Sequence, residues 1–392
     1  MKIVHVYKDY HPPVRGGVEQ TIERMARWQV AAGHEVTVLV SASGGRRDVT
    51  ETVEGVRVVR VAERGRALSS PICPGYPAAL ARETANVWHV HCPNPLGELA
   101  YRWRLPAGAL VCTHHCDLTQ PLQRALLPLY RPFIHDLYRR ADGLHATAPQ
   151  ALDRPDSVVA PFRDRFRVVP LGIDAGPFLA VTPARSGAQA LRDRYGDPHL
   201  LFVGRLRHYK GLHVLLDAMP SVPAQLVVVG DGPRGDALRA QARRLGLEDR
   251  VHFIGPVSNE ALLDHLAAAA IFVLPSSTPT EAFGLSMVEA MAAGIPVVST
   301  ELGTGTSYVN AAGTTGLIVP ALDPPALAAS LSGLLGDGAR RQRMGEAGRA
   351  RVQDLFTVEA MMGGIDRIYA EALDRAGQDS ADRIRNAGAR GF

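Results

Sequence analysis

Lysine is almost missing from this chain: Lys2, Lys8 and Lys210 stand against 40 arginines among 392 residues. The bias singles out Lys210, although composition alone gives it no role. Cysteine is scarce as well. Cys73, Cys92, Cys112 and Cys116 form no paired framework, which excludes a disulfide-stapled scaffold and fits a reducing compartment. No stretch approaches the ~18–20 uninterrupted apolar residues of a membrane span. The opening residues MKIVHVYKDYHPP are too polar for a signal peptide and read as a first strand, so a cytoplasmic protein is expected. The dinucleotide fingerprint G-x-G-x-x-G is missing after that strand, which counts against NAD. No D-x-D motif occurs, which weakens the case for a metal-held diphosphate.

What is present is the composition of a globular protein. Hydrophobic residues make up 46% and charged residues 21%, so a packed core is expected rather than a disordered chain. The length suits two domains of roughly 150–200 residues each. Short apolar runs at 2–7, 35–41, 53–61, 86–91, 109–113, 143–147 and 166–170 are interleaved with helical stretches at 18–32 and 122–140. A second series runs through 200–203, 226–229, 251–254, 271–274, 297–300 and 316–319, again with helices between. Such alternation predicts an α/β protein with two Rossmann-like parallel sheets. The expected division is an N-terminal domain over 1–175, a linker over 176–196 and a C-terminal domain over 197–355. A helix over 356–375 then crosses back to the first domain, and residues 376–392 form a disordered tail. Residues 1–175 carry 22 Lys and Arg against 17 Asp and Glu, and the remainder 21 against 22. The basic half suits an anionic ligand or a membrane surface, or is simply a solvated face.

The clearest βαβ unit is 271–300, IFVLPSSTPTEAFGLSMVEAMAAGIPVVST. Its loop lies beyond the carboxyl end of a parallel strand, where ligands of such sheets bind. Glu281 stands just before the helix and Glu289 two turns on, with the amides of Phe283, Gly284 and Leu285 between them. Carboxylates there can accept from sugar hydroxyls or a ribose diol; a helix cap and a solvated face are the plain alternatives. In FVGRLRHYKG (202–211) a strand ends at Gly204, and Arg205 and Lys210 flank the turn, two cations that suit a diphosphate. Arg15, Gly16 and Gly17 open a helix after the first strand, either as an anion-binding N-terminus or as a tight turn only.

The run CTHHCD (112–117) looks like a metal cluster, but side chains alternate in direction at a strand end, so four convergent ligands are not expected. A histidine there better suits hydrogen bonding in a cleft. His89 and His91 read as core or cleft-edge histidines. The leucine-rich helix 122–140, with Arg124, Arg131, Arg139 and Arg140 around it, either packs into the domain or touches lipid, and packing is preferred.

Taken together, these residues resemble the family 4 retaining glycosyltransferases of the GT-B fold, nearly end to end. The resemblance rests on the E-x7-E element from Glu281 to Glu289, on FVGRLRHYKG, on the N-terminal Gly-Gly turn, on VGDGP (229–233) and on VVPLGID (168–174). The runs VHCPNPL (90–96), THHCDL (113–118) and ELGTGTSYVN (301–310) look most like bacterial enzymes that build surface polysaccharides. The resemblance implies two sheet domains facing a cleft, an acceptor side in the N-terminal domain and a nucleotide-sugar site in the C-terminal one. It implies transfer of a hexose, with mannose from GDP-mannose slightly favoured, to a glycan, glycolipid or small-molecule hydroxyl with retention of configuration. No metal or other cofactor and no nucleic acid is implied. Peripheral contact of the basic N-terminal domain with the inner face of the membrane is an expectation from its charge and from helix 122–140, not from the resemblance.

Carried over by position, Arg205 and Lys210 would hold the donor diphosphate beside Gly204. Glu281 would bond the transferred sugar, Glu289 the ribose, and Phe283, Gly284 and Leu285 would supply backbone donors. Gly16 and Gly17 would line the phosphate or acceptor side. His115 would reach the donor sugar, as the His-x-Asp pattern is met by His115-Cys116-Asp117, with His114 as its competitor. GTGTSYVN departs from the family's commoner Gly-Gly-x-x-Glu loop, so no residue there is carried over. Two other readings share the architecture: a sugar-nucleotide epimerase, and a non-catalytic sugar-nucleotide-binding partner subunit.

Overall fold

The computed structural model describes residues 1–14, 16–68, 70–118 and 121–388. Contacts divide the chain into two units, Met1–Pro170 with Val358–Phe392, and Leu171–Thr357. The first unit begins with β1 (Lys2–Val6), α1 (Gly17–Ala31), β2 (Glu35–Ser41) and the antiparallel hairpin of β3 (Val49–Val53) and β4 (Val56–Val61). A short ribbon of β5 (Arg66–Ala67) and β6 (Ser70–Pro71) follows, then α2 (Tyr76–Arg82), β7 (Val87–Cys92) and α3 (Pro95–Arg104). It continues with β8 (Ala109–His114), α4 (Pro121–Arg140), β9 (Gly143–Ala146), α5 (Gln150–Asp153) and β10 (Phe166–Val168). Eight strands form one sheet in the order β10-β9-β8-β7-β1-β2-β4-β3, parallel except for β3. Both faces are covered, so β7 and β8 are buried along their whole length, as near-continuous apolar runs in a parallel sheet require.

The second unit opens with α6 (Gly176–Leu179) and α7 (Ser186–Tyr195), then β11 (Leu200–Val203), α8 (Leu212–Ala218) and β12 (Leu226–Val229). Next come α9 (Gly235–Arg244), β13 (Val251–Gly255), α10 (Asn259–Ala268), β14 (Ile271–Leu274) and α11 (Leu285–Ala292). It ends with β15 (Val297–Glu301), α12 (Thr306–Val309), β16 (Gly316–Pro320), α13 (Pro324–Leu335) and α14 (Gly338–Leu355). Its six strands run parallel in the order β13-β12-β11-β14-β15-β16. The order reverses direction between β11 and β14, the topological switch point at which such sheets bind ligands beyond their carboxyl ends.

Two stretches differ from expectation. Residues 176–196 are no linker: they form α6 and α7, which belong to the second unit. Ala188 and Tyr195 are buried in its core, and Arg185 is ion-paired to Asp264 and Glu260 of α10. The closing helix does not stop at 375 either. As α15 (Val358–Gly388) it runs through most of the stretch expected to be a disordered tail, and residues 389–392 lie outside the described residues. Its apolar side chains Met361, Met362, Ile365, Ile368 and Tyr369 pack on Ile3, Val87, Ala109 and Val111 of the first sheet. No helix among the described residues is long and apolar enough to cross a membrane.

Candidate active site

In the second unit, the switch point brings the turn after β11 against the loop after β14. Gly211 makes this approach possible. It sits at φ 71°, and a Cβ there would fall on the Pro275 carbonyl oxygen. Ser277 N–H donates to the Tyr209 carbonyl at 2.8 Å and ties the two loops together. Lys210 therefore projects towards Glu281, with Nζ 2.6 Å from Oε2. Gly204 borders the lysine stem, since a Cβ built on it would lie 3.7 Å from Lys210 Cε. Burial alone would lower the lysine pKa, but the facing Glu281 carboxylate, with smaller contributions from Tyr209 and Glu289, holds it above the ordinary value. Ser276 Oγ donates to Glu281 Oε2 at 3.3 Å.

Gly284, at φ 84°, starts α11, and a Cβ there would come within 3.2 Å of Leu274 Cδ2. The amides of Leu285 and Ser286 precede the first hydrogen bond of α11, from Met287 N–H to the Gly284 carbonyl at 2.8 Å, and give this end a partial positive charge. Phe283 is buried, and Glu289 is half-buried one turn along the helix. Arg205 is exposed at the start of the turn and does not join the ion pair. Sequence reasoning missed the back wall. Thr304 Oγ1 donates to the Glu281 carbonyl at 2.8 Å, and Gly305 N–H to the Ala282 carbonyl at 2.9 Å, so the loop after β15 braces Glu281. These residues lie in GTGTSYVN, where the departure from the family loop was itself the available signal.

In the first unit, Gly16 caps α1 with extended backbone and Gly17 is its first residue. Arg15 lies outside the described residues. The carboxylate of Glu19 folds back under Gly16 and accepts from the helix's first amides. Burial, with Asp9 nearby, raises the Glu19 pKa against the pull of those amides and of Lys8. The anion-attracting end of α1 thus already carries a carboxylate of the chain itself, a contact that the Gly-Gly turn alone did not reveal.

The doubled histidine separates after β8. His114 turns to the Tyr138 hydroxyl, 3.0 Å from Nδ1, and to Asp117, 3.5 Å from Nε2. His115 turns the other way, to Tyr7 and His91. From His115 a buried relay runs through the sheet. The amide oxygen of Gln29 can only accept, so His5 Nε2–H donates to it at 2.7 Å. His5 Nδ1 then accepts from His91 Nε2–H at 3.0 Å, and His91 Nδ1 from His115 Nε2–H at 3.0 Å. The Nδ1 atom of His115 is left as a bare lone pair, buried and without a protein partner. On the other side Gln29 Nε2–H donates to the Tyr369 hydroxyl of α15, which donates to His89 Nδ1. His89 Nε2–H donates in turn to Thr113, whose hydroxyl donates to His145. Burial keeps these histidines neutral: it lowers His5 to about 4 and His145 to about 3, and takes His89, His91 and His115 well below the usual range.

His5, His89 and His91 are close enough together to hold a cation. Each of their six ring nitrogens, however, already has a hydrogen-bond partner in the relay, and His89 and His91 are stacked at 4.3 Å rather than convergent. This donor set fits a proton-ordered hydrogen-bond chain and not a metal.

Residues 188–351 match the glycosyl transferases group 1 family, and residues 16–172 match the glycosyl transferase 4-like domain. The chain is 34% identical to the D-rhamnosyltransferase WbpZ of Pseudomonas aeruginosa, over 91% of this chain and 92% of that protein. It is 29% identical to O-antigen chain mannosyltransferase C of Escherichia coli, over 95% of this chain and 99% of that protein. Among solved structures, sucrose-phosphate synthase from Thermosynechococcus elongatus superposes with a TM-score of 0.78 at 24% identity, covering 95% and 99% of the two chains. HepE of Anabaena, solved in complex with UDP, superposes at 0.74 with 20% identity, covering 94% and 100%. With its two parallel-sheet domains, its Lys210–Glu281 pair at the switch point and relatives alike over almost their whole length, this chain belongs to the group 1, family 4-like glycosyltransferases of the GT-B fold.

Proposed function

We propose that the protein transfers a hexose, mannose first among the candidates, from a nucleotide-diphosphate sugar to a hydroxyl of a glycan or glycolipid, with retention of configuration and without a metal. The observation that carries this reading is the 2.6 Å ion pair between Lys210 and Glu281 at the switch point of the second sheet. A lysine held charged beside the positive end of α11 suits a leaving diphosphate, which gains negative charge as the glycosidic bond breaks. Glu281, braced by Ser276 and Thr304, suits the hydroxyls of the transferred sugar, and Glu289 the ribose. Arg205, exposed at the start of the same turn, suits a second cation for the diphosphate. In the first unit, the lone pair of His115 Nδ1 suits a sugar hydroxyl as donor.

The mannosyltransferase and the D-rhamnosyltransferase among the relatives support transfer of a sugar of the mannose or rhamnose type, and the UDP complex of HepE supports nucleotide-diphosphate recognition by this fold. We place the reaction in the cytoplasm at the inner face of the membrane, with the basic first unit on the acceptor side. The test is an assay with GDP-mannose, UDP-glucose and dTDP-rhamnose against a mannan oligosaccharide. Proton NMR of the product should show an anomeric configuration equal to that of the donor. An inverted product, or consumption of donor to an epimer without any acceptor, would refute the reading.

A further inference from the structure

The buried relay of the first unit has two open ends. His115 Nδ1 at one end and His145 Nδ1 at the other have no hydrogen-bond partner among the described residues. The groups between them are bonded on both sides: His91, His5, Gln29, Tyr369, His89 and Thr113. A neutral imidazole carries one proton, so it donates from one nitrogen and accepts at the other. The chain therefore has two self-consistent senses. In one, His115 presents a lone pair at Nδ1 and His145 an N–H. In the other, the two ends exchange roles. Neutral imidazoles and hydroxyls serve either sense, so these members transmit it without choosing it.

Gln29 is different. Its amide has unlike ends, an oxygen that only accepts and a nitrogen that only donates, so its orientation sets the sense of every bond as far as His115. Oε1 faces His5 Nε2 at 2.7 Å, and Nε2 faces the Tyr369 hydroxyl at 3.2 Å. Gln29 is 1% exposed and Tyr369 2%, so each polar group depends on the other for a partner. The Tyr369 hydroxyl is fixed from its far side by His89 Nδ1 at 2.7 Å, to which it donates, and this leaves its oxygen free to accept from the amide. Tyr369 is the member that α15 contributes to the relay; the helix otherwise meets the sheet through apolar side chains such as Ile365 and Ile368.

We propose that Tyr369 is a positioning residue for His115. By accepting from the Gln29 amide it turns the Gln29 oxygen to His5, and so fixes the lone pair at His115 Nδ1. It is separated from His115 by Gln29, His5 and His91 and acts through them. Without the hydroxyl, the present sense leaves a buried amide N–H unpaired, whereas a turned amide leaves only a carbonyl oxygen idle. Orphaned buried N–H groups are the rarer of the two. The turned amide donates to His5, and the relay reverses as far as His115. Its consequence for catalysis rests on the reading that His115 accepts from a sugar hydroxyl; the sense of the relay does not.

The experiment is nitrogen-15 NMR of the histidine-labelled full chain in the absence of nucleotide and sugar, with the His115 signals assigned by their loss in His115→Asn. The wild type is expected to show a protonated Nε2 and a bare Nδ1 at His115. Tyr369→Phe keeps the ring in the core and removes one oxygen, so the fold is expected to persist, and the His115 proton should move to Nδ1. Gln29→Met leaves His5 Nε2 without an acceptor and should give the same reversal. Ile365→Val loosens α15 without touching the relay and should keep the wild-type tautomer. The proposal is overturned if the wild type carries the His115 proton on Nδ1, or if Tyr369→Phe keeps the wild-type tautomer. Should Tyr369→Phe not fold, an unchanged tautomer in Gln29→Met overturns it. Reversal in Ile365→Val overturns it too, since packing of α15 and not the hydroxyl would then set the sense. Donor KM is expected to rise severalfold in Tyr369→Phe. An unchanged KM beside a reversed tautomer would remove His115 from sugar binding and leave the relay standing, so the two readings fail separately.

Discussion

Lys210 Nζ and Glu281 Oε2 lie 2.6 Å apart although 71 positions separate the residues, because a glycine at 211 lets one loop press on the carbonyl of Pro275 in the other. Each side chain is about nine-tenths buried, so the pair is costly to break from one side. Lys210→Met is expected to destabilise the fold by close to ~3 kcal/mol, because Glu281 is left buried without its cation. Adding Glu281→Gln should recover most of that loss in chemical denaturation. Transfer should not recover: each variant, single or double, is expected to lose about 10²-fold or more in kcat. Recovery of turnover together with stability would make the pair structural.

The glycine that permits the contact is itself testable. Gly211→Ala requires a side chain at positive φ and in the place of a carbonyl oxygen, a strain of about 1–3 kcal/mol before the clash is counted. A lowered melting temperature is expected, with transfer falling further than stability because Lys210 is displaced. Unchanged kcat in a folded Gly211→Ala protein would show that the loop contact does not set the lysine.

The histidine relay gives a pH dependence with a definite sign. His5 is depressed to about 4 and His145 to about 3, while in the unfolded chain they titrate near 6.5. A depressed folded pKa means that stability is intact above the unfolded value and is lost as pH falls from about 6.5 towards 4. Each such histidine adds about 1.4 kcal/mol per pH unit to the slope in that window. Guanidinium titrations between pH 7 and 5 should therefore show a steep loss, and His145→Phe should make the slope shallower by about one proton. A flat profile would mean that the buried histidines are charged in the native state.

The same relay orders the tautomers. With Gln29 Oε1 facing His5, His115 carries its proton on Nε2 and presents a lone pair at Nδ1. Nitrogen-15 NMR of labelled histidine should show this tautomer, assigned by loss of the signal in His115→Asn. His91→Phe fills the stack but removes the acceptor, and is expected to raise KM for the donor severalfold with the fold retained. A proton on Nδ1 in the wild type would reverse the relay and make His115 a donor to the sugar.

Much of this was legible in the chain. The βαβ unit 271–300, the strand ending at Gly204 and the Gly-Gly turn all stand where the hydrophobic runs and glycines put them, because apolar strands in parallel sheets advertise themselves locally. Residues 176–196 were not legible as helices: a run rich in Ala, Gly, Pro and Arg has little periodicity, and α7 is held by Tyr195 in the core and Arg185 on α10. The relay was hidden for a different reason. His5 pairs in register with His89, and Thr113 with His145, but register between strands far apart in sequence depends on strand order, which no local pattern carries. Glu19 was missed because nothing in its spacing says that it folds back on its own helix.

The central claim is that Lys210 and Glu281 hold a nucleotide-diphosphate sugar. The most direct measurement is calorimetric titration of the wild type and of Lys210→Met with GDP-mannose, UDP-glucose, ADP-glucose and dTDP-rhamnose. One nucleotide sugar, GDP-mannose first, is expected to bind the wild type, and Lys210→Met should weaken it by 10-fold or more, about 1.4 kcal/mol. Equal binding by wild type and variant, or no binding of any of the four, would contradict it.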